Sequence, residues 1–220
     1  MTDKEINEFI KNSTIEDLKD YFNKLIERLN ESSKRNDKLS LLMGILIVSY
    51  FIIDKNSVSN INLGIISIND MSIAKILIPL IFAFVLLIFA TLNAHRAKIT
   101  KNIKIIGQSL YNLKEDPLAD SYYPNSFLRL IMPFSYLEEL NSKYMKNGKF
   151  GCLTLFMTIP LYPIIALPFI FEFIALRKMI LNDWSNGVFE KIITILTIWI
   201  ILISIVYYIK LLSTSINENK

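Results

Sequence analysis

Glu172 is the one carboxylate inside a long apolar run, Phe-Ile-Phe-Glu-Phe-Ile-Ala at 169–175. A carboxylate away from water is costly, and a membrane segment that keeps one tends to use it on an ion or proton path. Counting about twenty residues on from Phe150 instead places Glu172 at the far interface, near Arg177 and Lys178, where it anchors the end of a span. Depth favours the anchor, and the path is the second reading. Pro160, Pro163 and Pro168 share the run. Three prolines within nine residues are either tolerated kinks or a hinge or unwound stretch lining a water path, and they exceed what a passive anchor needs.

The other reactive residue types carry little. His95 is the single histidine and has no second histidine or cysteine pair to complete a metal site, so it reads as an interfacial polar residue. Cys152 is the single cysteine, which excludes an intrachain disulfide. We expect it to face lipid or a neighbouring helix, with palmitoylation as its functional reading. The chain has no phosphate-cradling glycine loop, no His-Glu-x-x-His and no Gly-x-Ser-x-Gly. An enzyme is therefore not expected, nor a cofactor or bound metal. Arg96, Lys98, Lys101 and Lys104 abut an apolar run and lack interleaved aromatics. They are expected to set orientation and meet anionic lipid headgroups, and not to bind nucleic acid.

The elements that position these residues follow from hydropathy. The chain of 220 residues is 52 % hydrophobic, with mean hydropathy +0.39, and its apolar residues gather into four runs. That pattern predicts an all-α integral membrane protein with four transmembrane helices at 39–53, 73–92, 150–176 and 192–209. The first run begins after about forty mostly polar residues, unlike a cleaved signal peptide, and is expected to stay as an anchor. At fifteen residues it reaches only about 22 Å, short of the ~30 Å hydrocarbon core. Residues 54–72 read as a polar linker. The 150–176 run is expected to span once with kinks, a re-entrant hairpin being the alternative, and 177–187 to form the turn that follows it.

Two amphipathic stretches flank the first pair of spans. Ser13 and Glu16 have capping-box spacing at a helix start. Ile15, Leu18, Phe22, Leu25 and Leu29 then form a narrow seam at alternating steps of three and four, and Ile99, Ile103, Ile106, Leu110 and Leu113 form another. The whole of 73–113 is expected to be one rod carrying span and seam together, ended by Lys-Glu-Asp-Pro at 114–117. Ser135 and Glu138 suggest a second capping box.

Nineteen of the 24 basic residues fall in 1–38, 95–149 and 210–220. By the positive-inside rule both termini and the large loop are cytoplasmic, with Arg177 and Lys178 running against the rule locally. The expected division is a cytoplasmic amphipathic helix at 1–38, a hairpin of spans at 39–92, a cytoplasmic helical loop at 93–149, a second hairpin at 150–212 and a tail at 213–220. The two seams then run antiparallel on one side of the membrane and partner each other as an antiparallel cytoplasmic helical extension. A homo-oligomeric channel or membrane-permeabilising effector in the plasma membrane, controlled by these helices, is the expected function. A non-conducting anchor or adaptor that recruits a soluble cytoplasmic protein is the alternative.

Overall fold

The computed structural model describes residues 3–54, 61–62, 67–68, 71–113, 131–132, 161–184 and 187–217. The described part is helical apart from one two-residue ladder. Helices α1 (Asp3–Asn12) and α2 (Ile15–Asp54) are followed by strands β1 (Ile61–Asn62) and β2 (Ser67–Ile68), then α3 (Met71–Tyr111). Helix α4 (Leu161–Lys178) runs into a π-helical turn, Met179–Asp183, and α5 (Val188–Asn217) completes the order. The strands pair antiparallel, Ile61 with Ile68 and Asn62 with Ser67, within the segment read from sequence as a polar linker.

Three of these helices are long and apolar enough to cross a membrane: α2, the stretch Ile73–Tyr111 of α3, and Val188–Lys210 of α5. The short apolar run at 39–53 is the C-terminal part of a forty-residue helix and has no helix end of its own at Lys38. Helix α4 carries Glu172, Arg177 and Lys178 within eighteen residues, and 150–160 lies outside the described residues, as do Pro160 and Cys152.

The chain divides into two compact units. The first gathers residues 1–35, 93–163 and 214–220, and the second 36–92 and 164–213. Helix α2 gives its N-terminal half and α3 its C-terminal half to the first unit, and each gives its other half to the second. Antiparallel helices share residues in this complementary way.

The first unit is built on the two seams. Leu18, Phe22, Leu25 and Leu29 of α2 pack with Ile99, Ile103 and Ile106 of α3, and Leu110 and Leu113 pack against them half-buried. Each seam alone is one apolar stripe on an otherwise charged helix, which is marginal in water until something covers it. Ile15 departs from the sequence reading, being 67 % exposed. It is the first residue of α2, and that end of the core is filled instead by Ile6 of α1, which is 1 % exposed. Phe9 of α1 meets the Tyr21 ring edge-on, centroids 5.1 Å apart. Met132 joins the same core.

Both ends of these helices differ from expectation for local reasons. The capping box is Thr14 with Asp17, one residue beyond Ser13 and Glu16. Asp17 N–H donates to Thr14 Oγ1 at 3.2 Å, and Asp17 Oδ2 accepts from Thr14 Oγ1–H at 2.6 Å and Thr14 N–H at 3.3 Å. The first helical bond, Leu18 N–H to Thr14 O at 3.1 Å, makes Thr14 the N-cap. Helix α3 stops at Tyr111, ahead of the Lys-Glu-Asp-Pro segment. Asn112 takes φ +48°, and Leu113 and Asn112 donate back to the carbonyls of Gln108 (3.1 Å) and Ser109 (3.5 Å). This is a Schellman cap, its left-handed position filled by the side chain type that tolerates it best after glycine. The second capping box, Ser135 with Glu138, lies outside the described residues.

Candidate functional site in the second unit

The second unit is arranged the opposite way round from a water-soluble bundle. On α4 Leu167, Ile170 and Phe173 are turned outward, Phe173 at 71 % exposure, and Ile180 and Leu181 of the turn that follows are exposed too, with Arg177 the charged exception near the helix end. The inward stripe is Phe171, Glu172, Ala175 and Met179, with Glu172 at 2 %. In water the hydrophobic effect would select the reverse rotation, with the carboxylate outside and Phe173 inside. Helix α5 repeats the inversion. Ile195, Trp199, Leu202 and Val206 are exposed, whereas Thr194, Thr197 and Ser204 are buried.

The buried hydroxyls are satisfied within their own helix. Thr194, Thr197 and Ser204 each donate to the carbonyl one turn back, those of Glu190, Ile193 and Ile200, at 2.8, 2.8 and 2.9 Å. Glu172 is different. Neither of its carboxylate oxygens has a hydrogen-bond partner among the described residues. A buried polar group left this way costs free energy and calls for an explanation in function, water or an ion.

The residues beside Glu172 on α4 pack against aromatics. The Phe171 ring lies 4.6 Å from Phe82 of α3 and 5.2 Å from Tyr50 of α2, with Phe51 at 6.2 Å. Phe169 meets Tyr208 of α5 edge-on at 5.2 Å. Met43, Ile47, Val85, Leu86 and Ala175 close the same core, and Ile76, Met179 and Ile193 form a smaller one. One turn and a half beyond Glu172, Lys178 makes an ion pair with Asp54 at the end of α2, and its Nζ lies 6.0 Å from the centre of the Tyr50 ring.

The remaining candidate residues fall as follows. Pro163 is the third residue of α4 and exposed, where its missing N–H costs no intrahelical bond. Pro168 sits inside the helix, which continues through it. The segment 177–187, expected as a turn, is helical as far as Asp183, first as α-helix and then as the wider π turn. Trp184 is exposed just after it. In the first unit Arg96 is half-buried, its Nη1–H donating to Asn93 Oδ1 at 3.3 Å. Lys98 and His95 are exposed, and Lys101 and Lys104 are half-buried beside the Ile99–Ile103 seam. No cluster of three or more metal-ligating side chains occurs among the described residues.

Sequence reasoning missed the Asp54–Lys178 pair. A signal was present: both residues end apolar runs, one acidic and one basic, and the positive-inside assignment puts those two ends on the same side. No protein-family model matches the chain, and neither a curated protein nor a solved structure does.

Proposed function

We propose that this protein is an integral membrane channel or membrane-permeabilising effector, assembled from several copies, in which Glu172 is the ion-handling group. The single observation that carries the reading is Glu172 itself: 2 % exposed, without a hydrogen-bond partner among the described residues, on a helix that exposes Leu167, Ile170 and Phe173. An anchor at the lipid headgroups would be expected to expose its carboxylate, whereas Glu172 is buried. Glu172 of α4 and Thr194, Thr197 and Ser204 of α5 are buried, and apart from Arg177 and Lys210 near the helix ends the described outward faces of both helices are mainly apolar, so the path we propose runs inside each subunit. Copies then meet through apolar surfaces.

The same proposal has four spans, the third within 150–176, and places the protein in the plasma membrane with both termini, the two seams and the 93–149 loop in the cytoplasm. Arg96, Lys98, Lys101 and Lys104 then lie at headgroup depth against anionic lipid. The first unit is the controlling element. A second reading, a non-conducting adaptor, draws on one observation: the first unit has an apolar core of its own around Phe22, Ile103 and Ile106, as a docking module needs.

Induced expression with a membrane-potential dye separates the two. Depolarisation by the unaltered protein that is lost in Glu172→Gln supports the path. Equal depolarisation by Glu172→Gln removes Glu172 from it. No depolarisation, with a soluble protein co-purifying on the first unit, establishes the adaptor instead.

A further inference from the structure

The stretch of α4 that carries Glu172 is bracketed by two weak points in helical hydrogen bonding. At its N-terminal side Pro168 has no N–H and its ring crowds the carbonyl of Ile164, four residues back. At its C-terminal side the α-helix gives way at Met179 to a π turn of five residues. Such turns contain one residue more than an α-helical turn and recur where helices shift register at functional sites. Residues 169–178 between them have an intact α-helical ladder and carry Phe171, Glu172, Ala175 and Lys178.

Ring contacts and one ion pair help tie this stretch to the rest of the second unit. Phe171 sits among Tyr50, Phe51 and Phe82, and Phe169 sits on Tyr208. Lys178, at the junction with the π turn, pairs with Asp54. The aromatic contacts are edge-on or tilted ring pairs, whose favourable range of centroid distance is broad enough to survive small rotations. The ion pair is short-range and its two side chains are only 38 % and 26 % exposed, so it specifies one position of the segment.

We propose that residues 169–178 are a gate segment, hinged at Pro168 and at the 179–183 turn, and that the Asp54–Lys178 ion pair is the latch that holds it in the rotation that keeps its own Glu172 turned into the core. Releasing Lys178 lets the segment rotate about the two hinges and brings water, and with it a small cation, to the Glu172 carboxylate. This rests on the reading of Glu172 as the ion-handling group, but it is tested by water access, which does not depend on conduction.

The test uses the full chain in membranes with Cys152→Ser as background. A thiol is introduced by Ala175→Cys, at a position 0 % exposed beside Glu172, and its rate of reaction with a charged methanethiosulfonate is measured. Asp54→Asn and Lys178→Met should each raise that rate by about tenfold, because each removes the contact that opposes local opening. Exchanging the charges, Asp54→Lys together with Lys178→Asp, should restore the protection. A second thiol from Ala90→Cys, 3 % exposed on α3, should stay unreactive throughout. An unchanged rate at position 175, failure of the charge exchange to restore protection, or equal labelling at position 90 overturns the latch. If labelling follows the expected pattern and Glu172→Gln still depolarises cells, the latch stands and the ion-handling role of Glu172 falls.

Discussion

Thr14 and Asp17 decide where α2 begins, in competition with Ser13 and Glu16 one residue earlier. Both pairs have capping-box spacing, so the sequence leaves the start open by one residue. The chain resolves it in favour of the shorter acid, whose carboxylate accepts from both Thr14 Oγ1–H and N–H. Those bonds hold the Asp17 carboxyl below the ordinary aspartate value of 3.8, the Thr14 hydroxyl being the larger cause. A carboxyl depressed in the folded state stabilises above the unfolded value and loses that contribution as pH falls through the folded one. Denaturant midpoints for the first unit should therefore drop as pH is lowered below 3.8, and Asp17→Asn should flatten that part of the profile. Thr14→Ala should cost about 1 kcal/mol by removing the N-cap. At the other end of the seam pair, Asn112→Gly should be neutral or slightly stabilising in the same denaturation. Asn112→Val should destabilise by about 1–2 kcal/mol, since a β-branched residue resists positive φ. Lys178 bears on the expected orientation as well. It runs against the positive-inside pattern, and it is paired with Asp54.

The two seams and the long rod were legible because helical periodicity is a local property that a single stretch displays in full. Ile99, Ile103 and Ile106 were readable as a stripe, and they meet Leu18, Phe22, Leu25 and Leu29. Periodicity does not say where a stripe stops being covered. Ile15 extends the seam by one correct step and is left exposed, because the end of the core belongs to Ile6 on a separate helix. The spacing of Ile6, Phe9 and Ile10 is itself helical, so α1 had a signal in the sequence, shortened by its ten-residue length. Substitutions should separate the two cases. Leu25→Asp or Ile103→Asp buries an unpaired charge and should cost at least about 3 kcal/mol, seen as lost protease resistance of the first unit. Ile15→Asp should stay within about 0.5 kcal/mol. If Ile15→Asp matched Leu25→Asp, the exposed position of Ile15 would be refuted.

At the scale of the whole chain, orientation is a summed property of charge. With nineteen of 24 basic residues in three segments, tags at both termini should resist protease added to the outside of intact cells. Digestion of either would reverse or divide the proposed topology. Composition and run length alone determined that this is a helical protein with segments fit to cross a membrane, because bilayer thickness sets a length that can be counted. They also determined the seams, which need only the 3.6-residue period. Tertiary structure alone decided which way α4 and α5 are turned. Leu, Ile and Phe surround Glu172 on every side in sequence, so no hydropathy pattern says whether the carboxylate faces lipid, water or the bundle. It faces inward, and in the proposed membrane setting lipid contact would cost a charge or an unmet hydrogen bond while Phe173 would lose nothing against hydrocarbon. The Asp54–Lys178 pair likewise joins residues 124 positions apart, and only folding brings their helix ends together.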